Sequence, residues 1–283
     1  MQEIASQCGR RLSPLVPRVM MEGMITVTLQ DLLADEEGGW SVTRLPDVLG
    51  FIESFGMELF PPASEGPVDT QRLLRRRLGE DRLREQVRET IVRGVIATVE
   101  LKSSLRYDYE IAALGIGRER ETKAWMSIRD EVMKAICAFY NTDGGQILVG
   151  VSESKNVLGV EADYPLVRRA NSGSSDVAAW LERFKEDLAD CFVDPVALKR
   201  CVHAEAVEIQ GKTVIRIQVG RGQSLGFIRL SDAKCGHPEA FVREFVTSRA
   251  LQPHEIEGHV LAREADDIGR RPRAVRSVEV SAA

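Results

Sequence analysis

Ala138-Phe139-Tyr140-Asn141-Thr142-Asp143-Gly144-Gly145, followed directly by Gln146-Ile147-Leu148-Val149-Gly150-Val151, decides how the chain folds. Before it, Val132, Ala135, Ile136 and Phe139 recur at helical spacing, so a helix runs from about Ile128 into the first residues of the motif. Gly144 and Gly145 form its structural turn: two residues able to take positive φ stop the helix and reverse the chain. The run from Gln146 to Val151 is nearly all apolar, as in a strand covered on both faces. A helix that turns straight into a buried strand places helices against a sheet.

The flanking segments read in the same way. Upstream, Val95, Ala97, Val99 and Leu101 alternate with Ile96, Thr98, Glu100 and Lys102, which predicts a strand with Glu100 and Lys102 on one face. Downstream, Val157 to Val160 reads as a short partner strand. Ser174 or Ser175 caps a helix striped by Val177, Leu181, Phe184, Leu188 and Cys191. Val202 to Ile209 and Thr213 to Val219 pair as a hairpin through Gln210-Gly211-Lys212, with further strands near Phe227 to Leu230 and Ala240 to Phe245. A helix opened by Pro253 closes the domain. The fold class is α+β, a mixed sheet flanked by helices.

The first ninety residues have another texture. Leu45, Val48, Leu49, Ile52 and Phe55 mark an amphipathic helix capped by Ser41 or Thr43 and stopped by Gly56. Beyond the Pro-rich link at residues 61–67, a helix is expected from Asp69 or Thr70 to about Val92. It carries seven arginines among four acidic residues, which suits a solvated face of i,i+4 ion pairs or a phosphate-binding surface. Arg75, Arg76 and Arg77 are its least neutralised part. The expected domains are residues 1–92, mostly helical and accessory; 93–265, the α+β domain; and 266–283, a loose basic tail.

Composition narrows the function classes. The chain has 283 residues, 43% hydrophobic and 29% charged, the balance of an ordinary globular protein. No apolar run approaches the roughly 20 residues of a spanning helix, and the start does not read as a secretory signal. With five scattered cysteines in addition, the expected location is the cytoplasm, without a membrane partner. A net charge of -5 gives no global positive field, so any polyanion site is a local patch. No G-x-x-x-x-G-K-[ST] is present, and Gly115-Ile116-Gly117-Arg118 lacks the preceding strand and third glycine of a dinucleotide loop. No nucleotide cofactor is expected.

Three segments together resemble the Schlafen AlbA-like domain: Val99-Glu100-Leu101-Lys102-Ser103-Ser104, the Ala138 to Gly145 motif, and Ile147 to Glu153 followed by Val157-Leu158-Gly159-Val160. Phe241-Val242-Arg243 adds a weaker match, where the family often has an arginine on a late strand. The resemblance spans about residues 95–264. It implies nucleic-acid binding, RNA in preference to DNA, and in some relatives a role in defence with metal-dependent cleavage of transfer or ribosomal RNA. Such cleavage uses acidic ligands for Mg²⁺ or Mn²⁺. Glu100 and Glu153 match two of the three acidic positions, and Val95 stands at the third. Asp108, Glu161 or a second subunit could supply a replacement.

On this reading Glu100, Lys102 and Glu153 form the catalytic site, with Glu100 and Glu153 holding the divalent ion. The alternatives for Glu100 are an ion pair with Lys102 or an exposed strand position, and for Glu153 an ordinary solvated acid. Lys102, Asn141, Lys123, Arg129, Lys134 and Arg75 to Arg77 would contact the nucleic acid. Related domains work as paired lobes, which implies a homodimer here. Cys201-Val202-His203 and Cys235-Gly236-His237 are two C-x-H pairs. Were each pair on a strand, its sulfur and imidazole would face the same way and could share a zinc, as against core cysteines and loop histidines with no common role. Because Val95 breaks the acidic set, the competing reading is a catalytically silent DNA-binding regulator or scaffold whose residues 1–92 contact a partner protein.

Overall fold

The computed structural model describes residues 12–22, 24–34, 39–64, 67–76, 79–109, 112, 118–167, 175–231 and 237–270. In chain order they form α1 (Leu15–Glu22), β1 (Met24–Thr28), α2 (Leu29–Leu33), α3 (Leu45–Ser54), β2 (Met57–Phe60), β3 (Gln71–Arg76), α4 (Glu80–Arg93), β4 (Val99–Lys102) and α5 (Arg118–Asn141). Then come β5 (Gly145–Val149), α6 (Tyr164–Val167), α7 (Asp176–Cys191), α8 (Pro195–Cys201), β6 (Val202–Ile209), β7 (Lys212–Val219), β8 (Phe241–Glu244), β9 (Thr247–Ala250) and α9 (Ile256–Arg270). The α+β class holds. Among the described residues no helix is long and apolar enough to cross a membrane.

A four-stranded sheet in the order β4-β5-β7-β6 is the centre of the fold. β4 and β5 are parallel, and the other pairs are antiparallel. Alternation along the strands sorts their side chains to two faces. Val99, Leu101, Leu148, Val207, Ile209 and Val214 meet Val87 and Ile91 of α4 on one. Ile147, Val149, Ile215, Ile217 and Val219 meet α5 and α7 on the other, in the main core around Phe139, Trp180 and Phe184. β5 is covered on both sides, which is why its sequence shows no alternation.

Several expectations need correction. The arginine-rich stretch begins as a strand: β3 is the middle of a three-stranded antiparallel sheet, β1-β3-β2, so the accessory region is built around a sheet as well as helices. Both faces of β3 are covered, with Leu73 and Leu74 adjacent and fully buried, and that erased the two-residue period. Arg72 is buried too, its Nη1 donating to the carbonyl of Thr70 at 2.7 Å. α4 packs on the central sheet although it precedes residue 93, and α9 runs on to Arg270. Strand β4 starts only at Val99, so Val95 lies before it. The strand expected near Phe227 to Leu230 is reduced to single bridges at Ile228, and the Val157 strand to one bridge with Val151.

The quoted motif is a packing device in which Asn141, Gly144 and Gly145 each meet a named neighbour. Gly144 has φ 81°, and a Cβ there would stand 2.7 Å from the carbonyl oxygen of Val219. At Gly145 a Cβ would stand 2.5 Å from the ring of Phe139. α9 closes the carboxyl end of α5: the carbonyl of Asn141 accepts from Arg263 Nη1 at 2.8 Å and lies 3.0 Å from His259 Nε2. Burial lowers the His259 pKa, the Asn141 carbonyl opposes this, and Arg263, Arg221 and Arg249 lower it further. The folded ring therefore resists protonation. Its contribution to stability is complete above the ordinary value near 6.5 and is lost as pH falls through the lower folded value. Thermal melts should show the wild-type midpoint dropping from pH 7 to pH 5 by more than that of His259→Gln.

Candidate nucleic-acid interface

Glu100 and Lys102 share one face of β4, an edge strand, as the alternation predicts. The Lys102 ammonium lies 3.0 Å from Glu100 Oε1. On the other side, Arg243 Nη2 from β8 lies 2.8 Å from Glu100 Oε2. That contact is one of charge alone, since Oε2 accepts no hydrogen bond. The Arg243 fork donates instead to the carbonyls of Ala97, Ile96 and Val99, at 3.2 to 3.3 Å, and its guanidinium stacks 5.0 Å from the centre of the Phe139 ring. One carboxylate thus sits between two cations, and the group carries a net positive charge. The Lys102 side chain keeps 21% of its surface in solvent, against 4% for Arg243, so Lys102 is the cation a ligand can reach.

Several of the other expected site residues are engaged elsewhere. Glu153 stands exposed on the turn after β5. Asn141 is wholly buried, and its side chain is committed within the protein: Nδ2 donates to the carbonyls of Gly226 and Phe241, both at 2.9 Å, and Oδ1 accepts from Gly226 N at 2.7 Å. It is a joint between α5, the 226 loop and β8, not a nucleic-acid contact. Arg75 is likewise a strut, its Nη2 2.7 Å from Glu58 and its Nη1 donating to Gln218 Oε1 at 2.9 Å across the junction of the two sheets. Arg76 ends β3, and Arg77 lies outside the described residues. Arg129 pairs with Asp130 and Lys134 with Glu131, both at 2.8 Å. Lys123 lies on α5, with its side chain outside what is described.

The divalent-metal set does not fit. Both oxygens of Glu100 face cations, Glu161 accepts from Thr213 N at 2.6 Å, and no group of three His, Cys, Asp or Glu side chains suited to a metal occurs among the described residues. For the zinc set, the strand premise does not hold at Cys201. Cys201 is the last residue of a helix rather than part of a strand, so the same-face rule does not join it to His203. Its buried thiol donates to Gln71 Oε1, and burial pushes its pKa up to about 12. His203 instead packs edge-on against Phe60 at 4.5 Å and approaches Glu205 at 3.8 Å. His237 follows a segment, including Cys235, that lies outside the described residues.

Sequence reasoning found Glu100 and Lys102 but missed what Arg243 does. The only signal was the Phe241-Val242-Arg243 triplet, which carries no mark of its partner on β4. It also missed Asp163, a buried carboxylate that organises residues 104–107, because nothing local sets that aspartate apart.

Residues 116–244 match the family model described as Schlafen, AlbA_2. This stretch of the chain is similar to the Schlafen AlbA_2 domain. The matched span includes the Asn141 to Gly145 turn and Arg243, whereas Glu100 and Lys102 precede it. No curated protein is significantly similar to the chain. Among solved structures, the DIP2311 protein from Corynebacterium diphtheriae is similar at 16% identity and a TM-score of 0.38, over 63% of this chain and 28% of that one. The chain therefore spans less than a third of the length of that protein. The Schlafen AlbA_2 domain is one of a nucleic-acid-binding family.

Proposed function

We propose that this protein binds nucleic acid, RNA in preference to DNA, with Lys102 taking a backbone phosphate, and that it holds the strand without cutting it. The supporting observation is the Lys102, Glu100, Arg243 group, a net positive cluster on an edge strand whose carboxylate is already committed to two cations. In such a group the glutamate holds Lys102 in place and tempers its charge, and both its oxygens face cations. The RNA preference and a homodimer supplying a second lobe come from the family resemblance, and the cytoplasmic location from the scattered cysteines.

The test is a binding and cleavage assay on labelled tRNA, single-stranded DNA and duplex DNA, with Mn²⁺ or with chelator. The wild type should shift RNA at the lowest concentration and leave it intact in either condition. Lys102→Ala should weaken binding and lower the slope of log affinity against log salt by roughly 0.7 to 0.9, the loss of one phosphate contact. Glu100→Gln should bind more tightly, since it frees one positive charge. Fragments that require both Mn²⁺ and Glu100 would replace this reading with that of a nuclease, and no salt-dependent binding at all would leave a protein scaffold.

A further inference from the structure

The hairpin of β8 and β9 ends in an aromatic residue where a structural turn has no use for one. Its two-residue loop is Phe245-Val246, between Glu244 and Thr247, which pair across the strands. Phe245 has φ 54°, in the left-handed region that favours glycine, and keeps 84% of its surface in solvent, while Val246 keeps 49%. A bulky ring in that conformation is strained, and exposing it gains nothing for the fold.

The hairpin beneath the tip is firmly held. On one strand Arg243 is bonded to the carbonyls before and within β4 and stacked on Phe139. On the other Arg249 bridges Glu244 at 2.8 Å and Glu255 at 2.7 Å. Phe245 thus stands on an anchored hairpin two residues, roughly 7 Å of strand, beyond the arginine of the cationic group.

We propose that Phe245 is a stacking platform for an unpaired base of a single-stranded nucleic acid whose backbone is held at Lys102. The inference rests on the function proposed above and specifies its substrate as single-stranded. An aromatic face next to a positive site is what single strands require, because every base offers a π-face and every phosphate a charge. Duplex bases are already stacked on each other and leave no face for the ring. One phenyl and one valine make too small an apolar area for a stable protein interface; Glu244 and Glu255 at the hairpin are paired with Arg249, so the attraction for a polyanion comes from Lys102 and Arg243.

The experiment measures polarisation of a fluorescein-labelled oligouridine 12-mer and of an RNA duplex, using wild type, Phe245→Ala, Phe245→Gly and Phe245→Trp. Alanine and glycine should each weaken single-strand binding about tenfold or more, tryptophan should retain it, and duplex affinity should be the same in all four. Phe245→Gly should melt no lower than wild type, because glycine suits the local φ, and this separates the loss of binding from damage to the fold. Unchanged single-strand affinity in the alanine and glycine variants would overturn the inference while leaving nucleic-acid binding in place. A wild type that binds neither probe would overturn the function itself, and the inference with it. Phe245-dependent pelleting with anionic phosphatidylserine vesicles, without any effect on the single strand, would reassign the tip to a membrane surface.

Discussion

Replacing Asn141 with alanine should cost about 3 to 5 kcal/mol of stability, enough to unfold much of the protein at 37 °C, and should leave the affinity of the remaining folded fraction unchanged. The size follows from what is stranded. The side chain donates to Gly226 and Phe241, accepts from Gly226 and is wholly buried, so its removal takes a partner from the Phe241 carbonyl and the Gly226 amide and leaves the Gly226 carbonyl with the weak Cys137 thiol donor. Asn141→Asp sharpens the test. One carboxylate oxygen can still accept from Gly226, but the other faces the two carbonyls, so at neutral pH an anion is buried against lone pairs. That variant should be no more stable than alanine at pH 7 and should recover relative to wild type as pH falls, because the protonated acid regains one donor. Urea titrations of the three proteins at pH 7 and pH 5 measure this. Full stability of Asn141→Ala with weakened RNA binding would restore the surface role that the sequence suggested.

What the sequence could and could not show is plain from that residue. The helix stop at Asn141 to Gly145 was legible because chain reversal has local chemical requirements: a glycine where φ is positive, as at Gly144, and an apolar run where a strand is buried. The purpose of Asn141 was not, because its partners lie 85 and 100 residues away. A polar residue in a motif shared with nucleic-acid-binding proteins looks like a contact until its burial is known. Glu100 and Lys102 were legible as neighbours through strand alternation alone, whereas the second cation on Glu100 comes from a strand 143 positions later. β3 was misread for a related reason. Burial on both faces removes the period on which strand recognition depends, and its arginines then suggested an exposed helix. Arg75 owes its role to Gln218, brought by another segment, whereas Arg72 is held by the carbonyl of Thr70 two residues away.

Asp163→Ala should be still more damaging, by about 4 kcal/mol or more, although no motif pointed to this residue. Its carboxylate is fully buried, and one oxygen accepts from the Ser104 hydroxyl and from the amides of Arg106 and Tyr107. The other accepts from the Leu105 amide at 3.0 Å and from Trp180 Nε1 at 2.9 Å. Five donors converge on two oxygens, and Asp163 thereby fixes the segment that leaves β4 directly after Lys102 and ties it to α7. Asp163→Asn keeps the shape but replaces one acceptor with a donor group, so it should recover only part of the loss. Guanidinium titrations give the stability. Tryptophan fluorescence with acrylamide quenching reports whether Trp180 has lost its shielding, and both should move together in the alanine variant. The consequence for binding is separate. If residues 103–107 hold the end of β4 in register, the folded Asp163→Asn protein should bind RNA more weakly than wild type, with an unchanged salt slope. The number of phosphate contacts is then preserved while Lys102 is less well positioned. A slope that falls by as much as it does in Lys102→Ala would show instead that the lysine contact itself is gone.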